Sequence, residues 1–237
     1  MKRADKLDHR KYKYSDMNAL IREIEGLCDG LDQKHPMERK IRFLLDIRGY
    51  LKVNGIRGSY IEFGSYHSEM QYAAYNVLDE TGMMDSYVGL EIFSGEPELT
   101  PEEKKSFPAM CTGDFSCDHE AVLSFVENNF GGKGVIVKGD FRKKEVMARC
   151  DAHLPLSVAV IDCNLLSSTE YALKYTLKNM TPGGVIFIDD YLSNMSGGIP
   201  RVKDLFEAVV REEGKEVLEH NFYPPFAKSF IAVGKQA

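Results

Sequence analysis

The stretch "GGVIFIDDY", residues 183 to 191, runs from two glycines through four apolar residues into two adjacent aspartates and a tyrosine. The apolar run reads as a buried strand. Two carboxylates side by side at its end repel one another unless a cation or a proton lies between them. Something positive is therefore expected where this strand stops.

Other short apolar runs lie upstream at regular intervals. "SYIEFG" (59 to 64), "YVGLEIF" (87 to 93), "GVIVKGD" (134 to 140) and "SVAVIDC" (157 to 163) read as strands beside "GVIFIDD" (184 to 190). Helical patterns near 68 to 81, 118 to 130 and 168 to 180 separate them. Strands alternating with amphipathic helices predict an α/β fold, a mostly parallel, doubly wound sheet covered on both faces. A helix at about 200 to 213 is followed by "KEVLEHNFY" and "KSFIAVGK", joined by "PPFA" with no helix between. That pattern predicts an antiparallel hairpin at the C-terminal end of the sheet. Ahead of the first strand, residues 14 to 57 read as helical, with "SDMNALIREIEGL" behind a Ser15 cap and "HPMERKIRFLLDIRGYLKVNG" ending on a glycine. The expected organisation is a helical extension over 1–57, acting as lid or dimer contact, and one α/β domain over 58–237.

The 237 residues are 43% hydrophobic and 28% charged, ordinary for a globular chain. A formal net charge of -6 argues against a surface that tracks phosphates, so nucleic acid is not an expected partner. The five cysteines are scattered without a C-x-x-C pair, and read as free thiols, although Cys111 and Cys117 could pair in an oxidising compartment. The polar start "MKRADKLDHRKYKYSD" lacks the apolar core of a secretory signal, and no apolar run is long enough to span a bilayer. The expectation is a soluble, cytoplasmic protein with no membrane partner.

Ligands of open α/β sheets bind beyond the carboxyl ends of the strands. The first strand runs into "EFGSYHS", where Gly64 allows close approach of a ligand to the backbone and Ser68 opens a helix with free N–H groups; a plain tight turn reads equally well. Glu91 can accept hydrogen bonds from both hydroxyls of a ribose, or stand as a solvated strand end. Asp140 followed by Phe141 suits the amino group and the face of an adenine, or a simple turn. Neighbouring strand ends lie about 5 Å apart, or about 10 Å with one strand between, so Asp162, Asp189 and Asp190 can converge. Three hard oxygen ligands suit Mg²⁺ better than zinc, and helix capping or a turn is the other use of such residues.

Taken together, "EFGSYHS", "LEIFSGEPE", "VKGDF", "IDCNLLSST" and "TPGGVIFIDDY" resemble the macrocin O-methyltransferase family, over residues 59 to 191 and more loosely to the C-terminus. Members are Mg²⁺-dependent enzymes with a Rossmann-like class I methyltransferase fold that methylate sugar or phenol hydroxyls using S-adenosylmethionine. The resemblance implies that Glu62, Gly64 and Ser68 frame the methionine part of the cofactor, Glu91 the ribose, and Asp140 with Phe141 the adenine. It also implies that Asp162, Asp189 and Asp190 hold the metal. Where members usually carry Asp-Gly-Asp-x-Tyr, this chain has Asp162, Cys163, Asn164, Leu165 and Leu166, so Asn164 removes a charge beside the site. Ser68 stands where glycine is more usual, and His67 where arginine or another polar residue tends to sit.

The implied reaction is direct methyl transfer to a metal-bound hydroxyl of a small acceptor. Asp162, metal ligand and neighbour of the cofactor, is placed to receive the proton, with His67 or His220 as helpers. The segment "SGEPELTPEEKKSFPAMCTGDFSCDHE" and the helical preface are long enough to lid the site, to build the interface of a homodimer or higher homo-oligomer, or simply to cross the surface. Two other readings use the same residues. One is another Mg²⁺-dependent enzyme on this sheet, for which no P-loop motif is present; the other is a cofactor-binding module without turnover.

Overall fold

The computed structural model of the chain describes residues 36–106, 110–193 and 201–234. Five strands, β1 (Gly58–Phe63), β2 (Met84–Glu91), β3 (Gly134–Lys138), β4 (Leu156–Ile161) and β5 (Met180–Ile188), run parallel. They are followed in the chain by β6 (Val217–Tyr223) and β7 (Ala227–Ala232). The spatial order is β3-β2-β1-β4-β5-β7-β6, with β7 antiparallel to both β5 and β6. This is the doubly wound sheet with a C-terminal hairpin that the strand pattern predicts.

The helices are α1 (Pro36–Asn54), α2 (Glu69–Leu78), α3 (Pro101–Ser106), α4 (His119–Asn129), α5 (Lys144–Met147), α6 (Leu166–Asn179) and α7 (Val202–Glu212). The helix expected over "SDMNALIREIEGL" lies outside the described residues. Among the described residues no helix is long and apolar enough to cross a membrane. Strand starts depart from the sequence expectation. β2 begins at Met84 rather than Tyr87, and β5 at Met180 rather than Gly184. In both cases backbone pairing with a neighbour, Gly58 with Met84 and Leu156 with Met180, carries the ladder beyond the apolar run. Hydropathy marks where a strand is buried, and hydrogen bonding decides where it starts.

All residues of β1 and β4 are buried, as central parallel strands covered on both faces must be. The period of two divides them between two cores. On one face Tyr60, Val158, Val160, Val185 and Phe187 pack with Phe43, Leu44, Ile47 and Leu51 of α1. On the other, Ile61, Ala159, Ile161, Ile186 and Ile188 pack with Leu173 of α6 and Phe206 of α7. α1 is thus an integral layer of the core: Phe43 stacks at 4.7 Å on Phe187, and the Tyr50 hydroxyl donates to the Gly183 carbonyl at 3.0 Å. Gly55, in the left-handed region at φ 63°, ends the helix and turns the chain into β1.

Phe43 is fully buried against Phe187 and Tyr223, so Phe43→Ala leaves a cavity under the sheet. Chemical unfolding of the variant is expected to show a loss of about 3–5 kcal/mol.

Candidate active site

Backbone bonds draw the strand ends into one arc. The Gly64 N–H donates to the Leu90 carbonyl at 3.0 Å, Gly139 to Glu91 at 2.9 Å, Asp162 to Phe63 at 3.0 Å and Asp189 to Ile161 at 3.0 Å. Each bond extends the ladder just past the strand, so residues far apart in sequence are held side by side. Gly64 has φ 86°, and a Cβ there would lie 2.2 Å from the Asp162 carbonyl oxygen. Only glycine fits that crossing of β1 and β4, which is also where the strand order reverses.

Beyond these ends lies a cavity of about 400 Å³. Gly64, Glu91, Asp140 and Phe141 line it together with Asp162, Asp189 and Asp190. Glu91 is anchored from three sides, by the N–H groups of Tyr66 at 2.8 Å, Ile92 at 2.8 Å and Phe93 at 3.2 Å. Asp140 is gripped by the guanidinium of Arg142 at 3.0 and 2.9 Å. Those hydrogen bonds hold its carboxyl below the ordinary value, against the opposing effect of burial. Phe141 packs edge-on against Phe63 at 5.3 Å.

Four expected site residues are not on the cavity wall. Glu62 is 1% exposed and accepts a hydrogen bond from the Tyr60 hydroxyl at 2.8 Å. Ser68 is fully buried at φ 62° and makes no side-chain cap to α2. His67 packs edge-on against Tyr66, with ring centroids 4.0 Å apart. His220 lies on the edge strand β6, bonded to the Ser229 hydroxyl at 2.9 Å, and burial lowers its pKa. Its place follows from the hairpin register, which the sequence leaves open. Neither His67 nor His220, expected as helpers to Asp162, is among the residues that line the cavity, whereas Asp162 is.

The electrostatics there are set by two side chains that strand patterns do not reveal. Arg39 donates through Nε and Nη2 to the two oxygens of Asp189 at 2.8 and 2.7 Å, with its guanidinium 5.3 Å over the Phe226 ring. Lys40 donates through Nζ to Oδ2 of Asp162. Both come from α1 because Asp162 continues the parity of Val158 and Val160, and Asp189 that of Val185 and Phe187, the face that α1 covers. Burial opposes the charge on Lys40, yet Asp162, Asp189 and Glu62 around it raise its pKa. Burial pushes Asp162 up to about 6 against the pull of Lys40. Burial also pushes Asp189 up, but Lys40 and Arg39 outweigh it and hold that carboxyl below the ordinary value. Asp190 is raised to about 7 by burial and by its two acidic neighbours.

By type, the three carboxylates suit a hard cation. By arrangement they do not fit one: both oxygens of Asp189 accept from Arg39, and Asp162 accepts from Lys40. Among the described residues, no group of three or more His, Cys, Asp and Glu is disposed to hold a metal ion. A sequence signal for Lys40 does exist. It stands three, four and seven positions ahead of Phe43, Leu44 and Ile47, inside the buried stripe of a helix, and a cation in such a stripe requires a buried anion.

The long segment after β2 folds back on itself, with the Glu96 N–H donating to the Asp114 carbonyl at 2.7 Å and Gly113 to Glu96 at 2.9 Å. Glu96, Pro97 and Phe115 line the cavity from this segment. The Asn164 amide donates to the Glu96 carboxylate at 2.6 Å, and the Ser167 hydroxyl to Glu103 at 2.6 Å. The departure at Asn164 thus gains a structural use, as a tie between the end of β4 and the covering segment. Cys111 and Cys117 are free thiols.

The sequence matches no protein-family profile and no curated protein. Solved structures do share its fold. The O-methyltransferase NovP superimposes with a TM-score of 0.65 at 15% identity, over 83% of this chain and 80% of that one. The calicheamicin methyltransferase CalS11 does so at 0.60 and 16%, over 94% and 88%. An O-methyltransferase from Bacillus cereus in complex with SAH reaches 0.53 at 15%, over 93% of each chain. At these identities the likeness is one of fold, that of Rossmann-like methyltransferases.

Burial pushes the Glu62 carboxyl up to about 8, against the pull of Lys40. The folded chain thus keeps a proton that the unfolded chain releases near its ordinary pKa. Stability contributed by this group falls as pH rises from about 4.5 to about 8 and is level above that. In Glu62→Gln this component is absent, so thermal melts between pH 5 and pH 8 are expected to change less than in the wild type, the difference corresponding to about 3–5 kcal/mol.

Proposed function

We propose that the chain is an S-adenosylmethionine-dependent O-methyltransferase that methylates a hydroxyl of a sugar or phenolic small molecule, as in natural-product or glycan tailoring. One observation carries the reading. A single cavity at the carboxyl ends of β1 to β5 joins Glu91, Asp140 and Phe141 to the carboxylates of β4 and β5. The fold it shares with NovP and CalS11 supports the reaction class, and the description of CalS11 as a TDP-rhamnose 3'-O-methyltransferase supports a sugar acceptor.

When bound, S-adenosylmethionine supplies an electrophilic methyl group. The anchored carboxylate of Glu91 keeps lone pairs free for two ribose hydroxyls. Phe141 offers an aromatic surface for adenine, with Asp140 beside it kept ionised by Arg142. Gly64 lets the turn after β1 approach the ligand without a side chain between. Asp190, with a pKa of about 7, is matched to accepting the acceptor hydroxyl's proton near neutral pH, and Asp162 at about 6 is the second acceptor. Glu96, Pro97 and Phe115 close the cavity wall and limit water. Mg²⁺, implied by the resemblance on Asp162, Asp189 and Asp190, takes no step here, because Arg39 and Lys40 already hold two of those carboxylates.

Calorimetric titration with S-adenosylmethionine and with its demethylated product tests the reading. One-to-one binding in the micromolar range, about 8 kcal/mol, is the expected result, and no binding of either compound overturns it. Glu91→Ala should weaken both at least about tenfold, or about 1.4 kcal/mol, with a thermal melt reporting separately on the three backbone bonds that the variant also loses.

A further inference from the structure

Arg39 and Lys40 do what a divalent cation would be needed for. Three carboxylates gathered at the ends of β4 and β5 repel one another strongly unless positive charge lies among them. The planar fork of Arg39 takes both oxygens of Asp189, leaving no open edge of that carboxylate facing the helix. Lys40, 8% exposed, takes an oxygen of Asp162. A divalent ion at the same carboxylates would share them with two cations, and like charges repel strongly where burial limits screening.

The helix that carries these cations is part of the core. The residues that follow them in α1, Ile41, Phe43 and Leu44, are buried in the core under the sheet, and Ile47 and Leu51 continue the same stripe. Moving the helix that carries Arg39 and Lys40 away from the site would uncover that core. Arg39 is further held against Phe226 in the turn before β7.

We propose that the positive charge at the acceptor end of this site is built into the chain, with Arg39 and Lys40 in the place a divalent metal would take, so that the site operates without one. This rests on the methyltransferase reading for what the charge is used for, but not for whether the metal is excluded. Both residues line the cavity. Lys40, with three ammonium protons and one bond among the described residues, is the cationic donor available to an acceptor oxygen. Arg39, with its fork committed to Asp189, is a positioning residue that keeps that carboxylate from repelling its neighbours.

The test is a titration of the 237-residue chain with Mn²⁺, followed by the electron paramagnetic resonance signal of the free ion. The wild type is expected to show no one-to-one site tighter than about 1 mM, and chelator should move neither its melting temperature nor its affinity for S-adenosylmethionine. Removing the internal cations in Arg39→Gln/Lys40→Met, with Lys40→Met alone as the milder variant, should open the carboxylates and create a Mn²⁺ site at least about tenfold tighter than any in the wild type. A stoichiometric wild-type site tighter than that limit overturns the proposal whether or not the variants fold. A folded variant that takes up no Mn²⁺ overturns it as well. If S-adenosylmethionine fails to bind while the Mn²⁺ results come out as expected, the methyltransferase reading fails and the internal cation pair stands.

Discussion

Two ion pairs, Arg39 with Asp189 and Lys40 with Asp162, join α1 to the ends of β4 and β5, and much of the molecule is arranged around them. The side chains involved are between 8% and 22% exposed. At that burial, removing one partner leaves the other as an uncompensated charge, which costs far more than the pair contributes. The same helix covers one face of the sheet with Phe43, Leu44, Ile47 and Leu51. Packing and electrostatics are therefore coupled: α1 cannot seat its apolar stripe without bringing its cations to the carboxylates, and the carboxylates cannot be buried together without α1.

The site shows how one residue type acquires several properties from its surroundings. Three aspartates lie within a few residues of two strand ends. Asp189, between a guanidinium and an ammonium, is held below its ordinary pKa despite burial. Asp162, paired to one cation only, is at about 6, and Asp190, buried beside two acids, at about 7. Environments that push like groups apart in this way separate the carboxylate that stays charged from those that can exchange a proton. The backbone bonds across the strand ends make the separation possible, because they hold the three in fixed relation.

Much of this was legible from one dimension. The alternation of short apolar strands with helices read correctly as a doubly wound sheet, and the missing helix between the last two strands as a hairpin, because periodicity and connection length are local properties. Glu91, Asp140, Phe141 and Asp162 were findable as polar residues at strand ends in a fold that binds ligands there. Glu62 and Ser68 follow from the same rule, and the structure buries both. Arg39 and Lys40 lie on a helix that precedes the first strand and reads as an appendage; only the lysine within its apolar stripe signals otherwise. Asn164 read as a lost charge, and its bond to Glu96 spans 68 positions.

By itself the sequence determined the local matters: which segments become strands and helices, which residues end each strand, and that two adjacent carboxylates near 189 needed positive charge. It did so because periodicity, turn chemistry and charge repulsion act between near neighbours. Only the tertiary structure decided what supplies that charge. The answer depends on which face each strand end continues and which helix covers that face, and on contacts across 122 and 150 positions of chain. Those are set by the packing of α1 against the sheet as a whole, and no window along the sequence contains both halves of the pair.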